Sequence, residues 1–171
     1  EIVTNMVDAA YSEYESKVAE ISNTPLEKRY FLVRKLGLAI RLIVDAFGDN
    51  TKWKWSFVEL EGRFTVVAKN LLDMKHALKV YFEPRNPDYD VSVYYFRLIK
   101  KLLNQSGESY RDKYELSTKR MDDIRLAINY ELALRRIHIL LNESDEAEEV
   151  KKKVLVWKAK MESDQKKGTI K

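Results

Sequence analysis

Apolar residues recur along this chain every three or four positions, the spacing that one face of an α-helix imposes. The clearest run is Trp53, Phe57, Leu60, Phe64, Val67, Leu71, Met74, Leu78 and Tyr81, alternately four and three residues apart until Pro84. Four heptads at that period predict one long helix over about 52–83, lying along a neighbouring helix at a crossing angle of roughly 20°. Its flanks carry Ser56, Ala68, Asn70, Ala77 and Phe82 where an isolated two-stranded coiled coil would carry paired charges, so a multi-helix bundle is the expected setting.

The same reasoning divides the rest of the chain. Ile2, Met6, Ala9, Ala10, Val18 and Ile21 predict an amphipathic helix over about 2–22. Thr24-Pro25-Leu26-Glu27 reads as a helix start, with Thr24 as cap, Pro25 in the first turn and Glu27 closing a capping box. The residues that follow, from Leu26 through Phe31, Val33, Leu36 and Ile40 to Phe47, are apolar over more than half the circumference, which predicts a helix contacted from several sides. Gly48 is placed to end it in a left-handed conformation.

Asn86-Pro87-Asp88 opens another helix through Val91, Tyr95, Leu98, Ile99 and Leu102, with a stop expected at Ser106-Gly107. Alternation at Tyr89, Val91, Val93 and Tyr95 also fits a short strand, but no partner strand is evident. A further helix is expected from about Ser109 to Asn142, broken or bent near Ser117-Thr118. The last begins at Ser144, has acidic residues near its positive end, and carries the stripe Ala147, Val150, Val154, Trp157, Met161.

The sum is an all-α bundle of five or six helices with a long central helix. It is expected to form a single domain over 1–163, followed by a polar tail over 164–171 that frays. No internal repeat of helical-hairpin length is visible.

Composition narrows this picture. A chain of 171 residues, 45% apolar and 34% charged, with five Gly and three Pro, has enough apolar content for a core and few of the breaks that many short strands require. The net charge of +4 arises from 31 basic against 27 acidic residues, a mixed surface and not a polycation. No cysteine is present, which excludes disulfides, thiolate metal sites and cysteine nucleophiles. Arg34, Lys35, Arg41 and Asp45 interrupt the longest apolar run, so no transmembrane segment is expected. Because the first residue is Glu1 and not Met, the chain is expected to begin inside a longer precursor, and localisation stays open.

Catalytic and metal chemistry finds little to work with. The two histidines, His76 and His138, are the only imidazoles available to a triad or a general base. Neither follows a Glu at the spacing a di-iron bundle uses, since Asp73 precedes His76 and Arg135 precedes His138 by three. Zinc-protease, phosphate-loop and dinucleotide motifs are absent. Adjacent carboxylates such as Glu59/Glu61 and Asp122/Asp123 diverge around a helix. The sequence therefore suggests no enzyme, no cofactor and no metal site.

What remains is surface. On the back of the long helix Trp55, Val58, Gly62, Val66 and Leu72 lie outside the seam, and this apolar face is expected to contact a partner. Trp53 and Trp55 point roughly 200° apart, so Trp53 is assigned to the core and Trp55 to the partner. Arg97, Lys100, Lys101, Arg120, Arg135 and Arg136 on the next two helices are the candidates for an anionic partner, although acidic residues alternate with them. The leading expectation is a non-enzymatic structural or protein-interaction protein, a self-associating subunit among the forms considered. Two alternatives stand beside it: a ligand-sensing domain with an aromatic-lined pocket, and a binder of nucleic acid or an anionic surface.

Overall fold

The computed structural model describes residues 23–48 and 51–169. The helix expected over 2–22 lies outside the described residues. Within them the fold is all-α, as the periodicity predicts: α1 Leu26–Phe47, α2 Lys54–Leu71, α3 Met74–Tyr81, α4 Tyr89–Lys113, a π-helical turn Tyr114–Thr118, α5 Met121–Leu140 and α6 Ser144–Thr169. The described residues contain no strand. The chain divides into two compact units, Glu1–Ile99 and Lys100–Lys171.

The long helix expected over 52–83 is two helices in the structure, and the long helices among the described residues are α4, of 25 residues, and α6, of 26. Two local events make the break. Asp73 leaves the helical path and its carboxylate accepts the His76 amide at 3.1 Å, capping α3. Two residues earlier, the Arg29 guanidinium donates to the Leu71 carbonyl at 3.2 Å, supplying a positive partner at the C-terminus of α2. Hydrophobic spacing does not reveal the break because Leu71, Leu72, Ala77 and Val80 are buried on both sides of it. The inward face is also broader than the heptad seam: Val58, Thr65 and Ala68 are buried, while Leu60 and Trp53 are exposed.

Arg29 also donates to the Thr24 carbonyl at 2.9 Å. The capping box expected at Thr24 and Glu27 does not form; Pro25 occupies the cap position and no side chain bonds there. Gly48 ends α1 with φ 72°, the left-handed conformation anticipated for it. Farther along the unit, buried Ser92 donates to the Ala77 carbonyl at 2.7 Å, and buried Tyr95 donates to the Ala68 carbonyl at 3.0 Å. Burial pushes the Tyr95 hydroxyl far above its usual value of 10, so it remains a donor.

In the second unit α5 and α6 pack along one another, burying Ile124, Ile128, Leu134 and Ile137 with Ala147, Val150, Val154 and Trp157. Gly107 does not stop α4. It forms a notch: a Cβ there would stand 2.6 Å from Glu131 Oε1, so only glycine lets that fully buried carboxylate lie against the helix. The break expected at Ser117-Thr118 is present as the π-helical turn, which closes on Lys119 at φ 52°. Tyr114 within this turn is buried and donates to Asp164 at 2.7 Å. Asp164 belongs to the stretch expected to fray, yet α6 continues through it to Thr169.

Candidate functional site

Two features of the described residues are open enough to serve a function. One is a cleft of about 450 Å³ in the second unit, between α4, α5 and the start of α6. Lys100, Asn104, His138 and Lys153 contribute its polar wall, and Leu134 and Val150 its apolar floor.

The charges along that wall answer one another. Lys100 Nζ meets both oxygens of Glu143 at 2.6 and 2.7 Å, and His138 Nδ1 lies 2.6 Å from Glu143 Oε2. Burial would raise the Glu143 carboxyl, but the Lys100 and His138 bonds outweigh it and hold the group below its usual 4.5. Lys153 Nζ donates to Asn104 at 2.9 Å, Glu108 at 3.0 Å and Glu131 at 2.8 Å. Desolvation works against the Lys153 ammonium, yet its two carboxylate partners leave its pKa above 10.5. Glu131 shifts upward in turn, because full burial outweighs the attraction of Lys153. Its Oε2 is buried without a hydrogen-bond partner.

Chemically this is a set of ionic staples. An amine held protonated is a poor nucleophile, and no serine, threonine or tyrosine lines the cleft beside the His138–Glu143 pair. Tyrosine and tryptophan are equally missing from its lining, so it is not an aromatic-lined pocket. Among the described residues no cluster of three or more His, Asp or Glu side chains is placed to hold a metal ion.

The second feature is α1. It was expected to be contacted from several sides, but after Val33 none of its residues through Phe47 is buried. Phe31, Leu38 and Leu42 are 57%, 61% and 62% exposed. At about 100° per residue they form one stripe, on the side of the helix opposite Val33. Lys35 stands 4.4 Å from the Phe31 ring and Arg34 5.7 Å from the Tyr30 ring. Asp45 pairs with Arg41 at 2.9 Å.

The side chains singled out from sequence are placed differently. Val58, Gly62 and Leu72 are buried, while Trp55 and Val66 are half-buried. The face read as outward is thus largely part of the unit's own interior. Trp53, assigned to the core, is 49% exposed. Of the candidate anion contacts, Lys100 is engaged by Glu143. Arg120 and the Arg135/Arg136 pair stand at opposite ends of α5, roughly 22 Å apart at 1.5 Å per residue. Arg97 and Lys101 are exposed, and Arg97 lies over the Tyr94 ring at 5.8 Å. Sequence reading missed the α1 stripe because it took this helix to be contacted from several sides and did not single out Leu38 or Leu42.

Among the described residues, fold and surface together define an all-helical protein with ion-stapled packing in its second unit and an exposed apolar stripe on α1. The chain belongs to the TP0443 family, whose pattern matches residues 1–165. Neither a curated protein nor a solved structure matches it. No helix among the described residues is long and apolar enough to cross a membrane.

Proposed function

We propose that this protein is a non-enzymatic structural subunit that associates with a second copy of itself through α1. The observation carrying this reading is the Phe31, Leu38, Leu42 stripe, exposed along a helix whose opposite side begins in the core. With the aliphatic stems beside it, the stripe offers on the order of 500 Å² of apolar surface, the upper range of what a monomer leaves open in one patch. Two such faces bury about 1,000 Å², near the lower limit of a specific interface and therefore suited to a weak, reversible dimer. The ion pairing of Lys100, His138 and Lys153 along the cleft and the dispersed basic residues support placing the function on this face.

Sedimentation velocity over a concentration series tests the proposal. Wild type should move from 20.2 kDa towards twice that mass, while Leu38→Glu/Leu42→Glu remains at 20.2 kDa with unchanged helical content. Trp55→Ala should still associate. A monomeric wild type at every concentration, or equal association of the Leu38/Leu42 variant, overturns it.

A further inference from the structure

We infer that the two copies of α1 pair antiparallel about a two-fold axis, in the register that sets Phe31 against Leu42 of the other copy. This rests on the self-association proposed above and adds its geometry. Lys28, Phe31, Lys35, Leu38, Leu42 and Asp45 follow one another at spacings of three, four, three, four and three, and all six are exposed. That is the spacing of a short coiled-coil seam, and among the described residues it lies exposed on α1. The seam reads the same way from either end. When the helices run antiparallel so that facing residue numbers sum to 73, Lys28 meets Asp45, Phe31 meets Leu42 and Lys35 meets Leu38, and the two-fold axis repeats the three layers.

Each layer is chemically matched. The Phe31–Leu42 layers are apolar. The Lys35 stem covers Leu38 while its ammonium reaches solvent. At both ends Lys28 faces a carboxylate, Asp45, which Arg41 of its own chain already orients at 2.9 Å. A parallel pairing would instead stack Lys28 on Lys28 and Lys35 on Lys35, like charges meeting within one seam. Among the described residues Lys28, Arg34 and Lys35 form no ion pair, so these cations carry no counter-charge into a parallel pairing. Moving the antiparallel register by one turn, to a sum of 69, keeps Phe31 on a leucine, Leu38, but sets Leu42 against Glu27 and Lys28 against Arg41, which loses the charge match.

The absence of native cysteine makes a direct test clean. Lys28→Cys and Asp45→Cys are prepared separately in the full chain, mixed, oxidised under mild conditions and resolved by mass spectrometry. Phe31→Cys and Leu42→Cys form a second pair that leaves Arg41–Asp45 intact. Antiparallel pairing in this register yields the mixed 28–45 and 31–42 disulfides several-fold over the like–like products. Predominance of 28–28 and 45–45 products would establish a parallel pairing and overturn the inference, and self-association would stand. A wild type that sediments as a monomer while no disulfide forms would overturn the self-association itself.

Discussion

Gly107→Ala isolates the closest helix contact in the second unit. In an ordinary helix interior this change stabilises by about 1 kcal/mol, because alanine loses less backbone entropy. Here the new methyl would lie 2.6 Å from Glu131 Oε1, 3.1 Å from its Cγ and 3.2 Å from its Cδ. Glu131 cannot yield easily. It is fully buried, and its Oε1 is held by Lys153 at 2.8 Å. Relief requires either moving α4 away from α5, an overpacking cost of about 1–3 kcal/mol, or breaking the pair and leaving a buried carboxylate without its cation, about 3–5 kcal/mol when fully desolvated.

Taking the cheaper route and subtracting the propensity gain, the net expectation is a loss of roughly 0–2 kcal/mol, in place of the usual gain. At this chain length that lowers the melting midpoint by up to about 8 °C. Thermal and urea unfolding followed by circular dichroism read the effect. In a Glu131→Ala background the same glycine substitution should become stabilising by about 1 kcal/mol, since the opposing carboxylate is gone. Gly37→Ala is the internal contrast: its Cβ would meet the Phe64 ring at 3.0 Å, a looser contact than the 2.6 Å at Gly107, so it should cost less. A Gly107→Ala protein more stable than wild type by about 1 kcal/mol, the gain of an unobstructed helix interior, would refute the notch.

Three further outcomes follow from the structure. Glu143→Gln should lower stability by about 1 kcal/mol at pH 7, because two charge-assisted bonds are weakened at a partly exposed site. Since the folded-state pKa of Glu143 lies below 4.5, its stabilisation is present above that pH and is lost as the pH falls through the folded value. The wild-type advantage in urea midpoint should therefore close below pH 4.5, and an unchanged gap at pH 3 would contradict the assignment. Asp73→Ala removes the cap of α3 and should cost about 1 kcal/mol in chemical denaturation, whereas one continuous helix would gain from the alanine. Tyr95→Phe leaves the buried Ala68 carbonyl without its donor and should cost about 1–2 kcal/mol by the same measurement.

The helical class and several boundaries were legible in the sequence because they depend on local chemistry. Gly48, Asn86-Pro87-Asp88, the break near Thr118 and the start at Ser144 all mark real ends or beginnings. The division of the 52–83 segment was not legible, since its decisive partner is Arg29, more than forty residues away, reaching the Leu71 carbonyl. Gly107 misled for a related reason: a glycine that admits a distant carboxylate looks, from sequence, like one that ends a helix. The surface was the least legible part. Spacing shows that a residue lies on an apolar stripe, but which of two stripes the chain itself covers depends on tertiary packing. Val58 and Leu72 were covered, while Leu38 and Leu42 were left open.

Amide hydrogen exchange across α1 at low and high protein concentration tests self-association where it is claimed to occur. Residues 34–47 should exchange more slowly as concentration rises from about 1 to about 500 μM, the range in which a weak dimer fills, while α2 and α4 change little. Exchange in α1 that is the same at both concentrations would contradict the account.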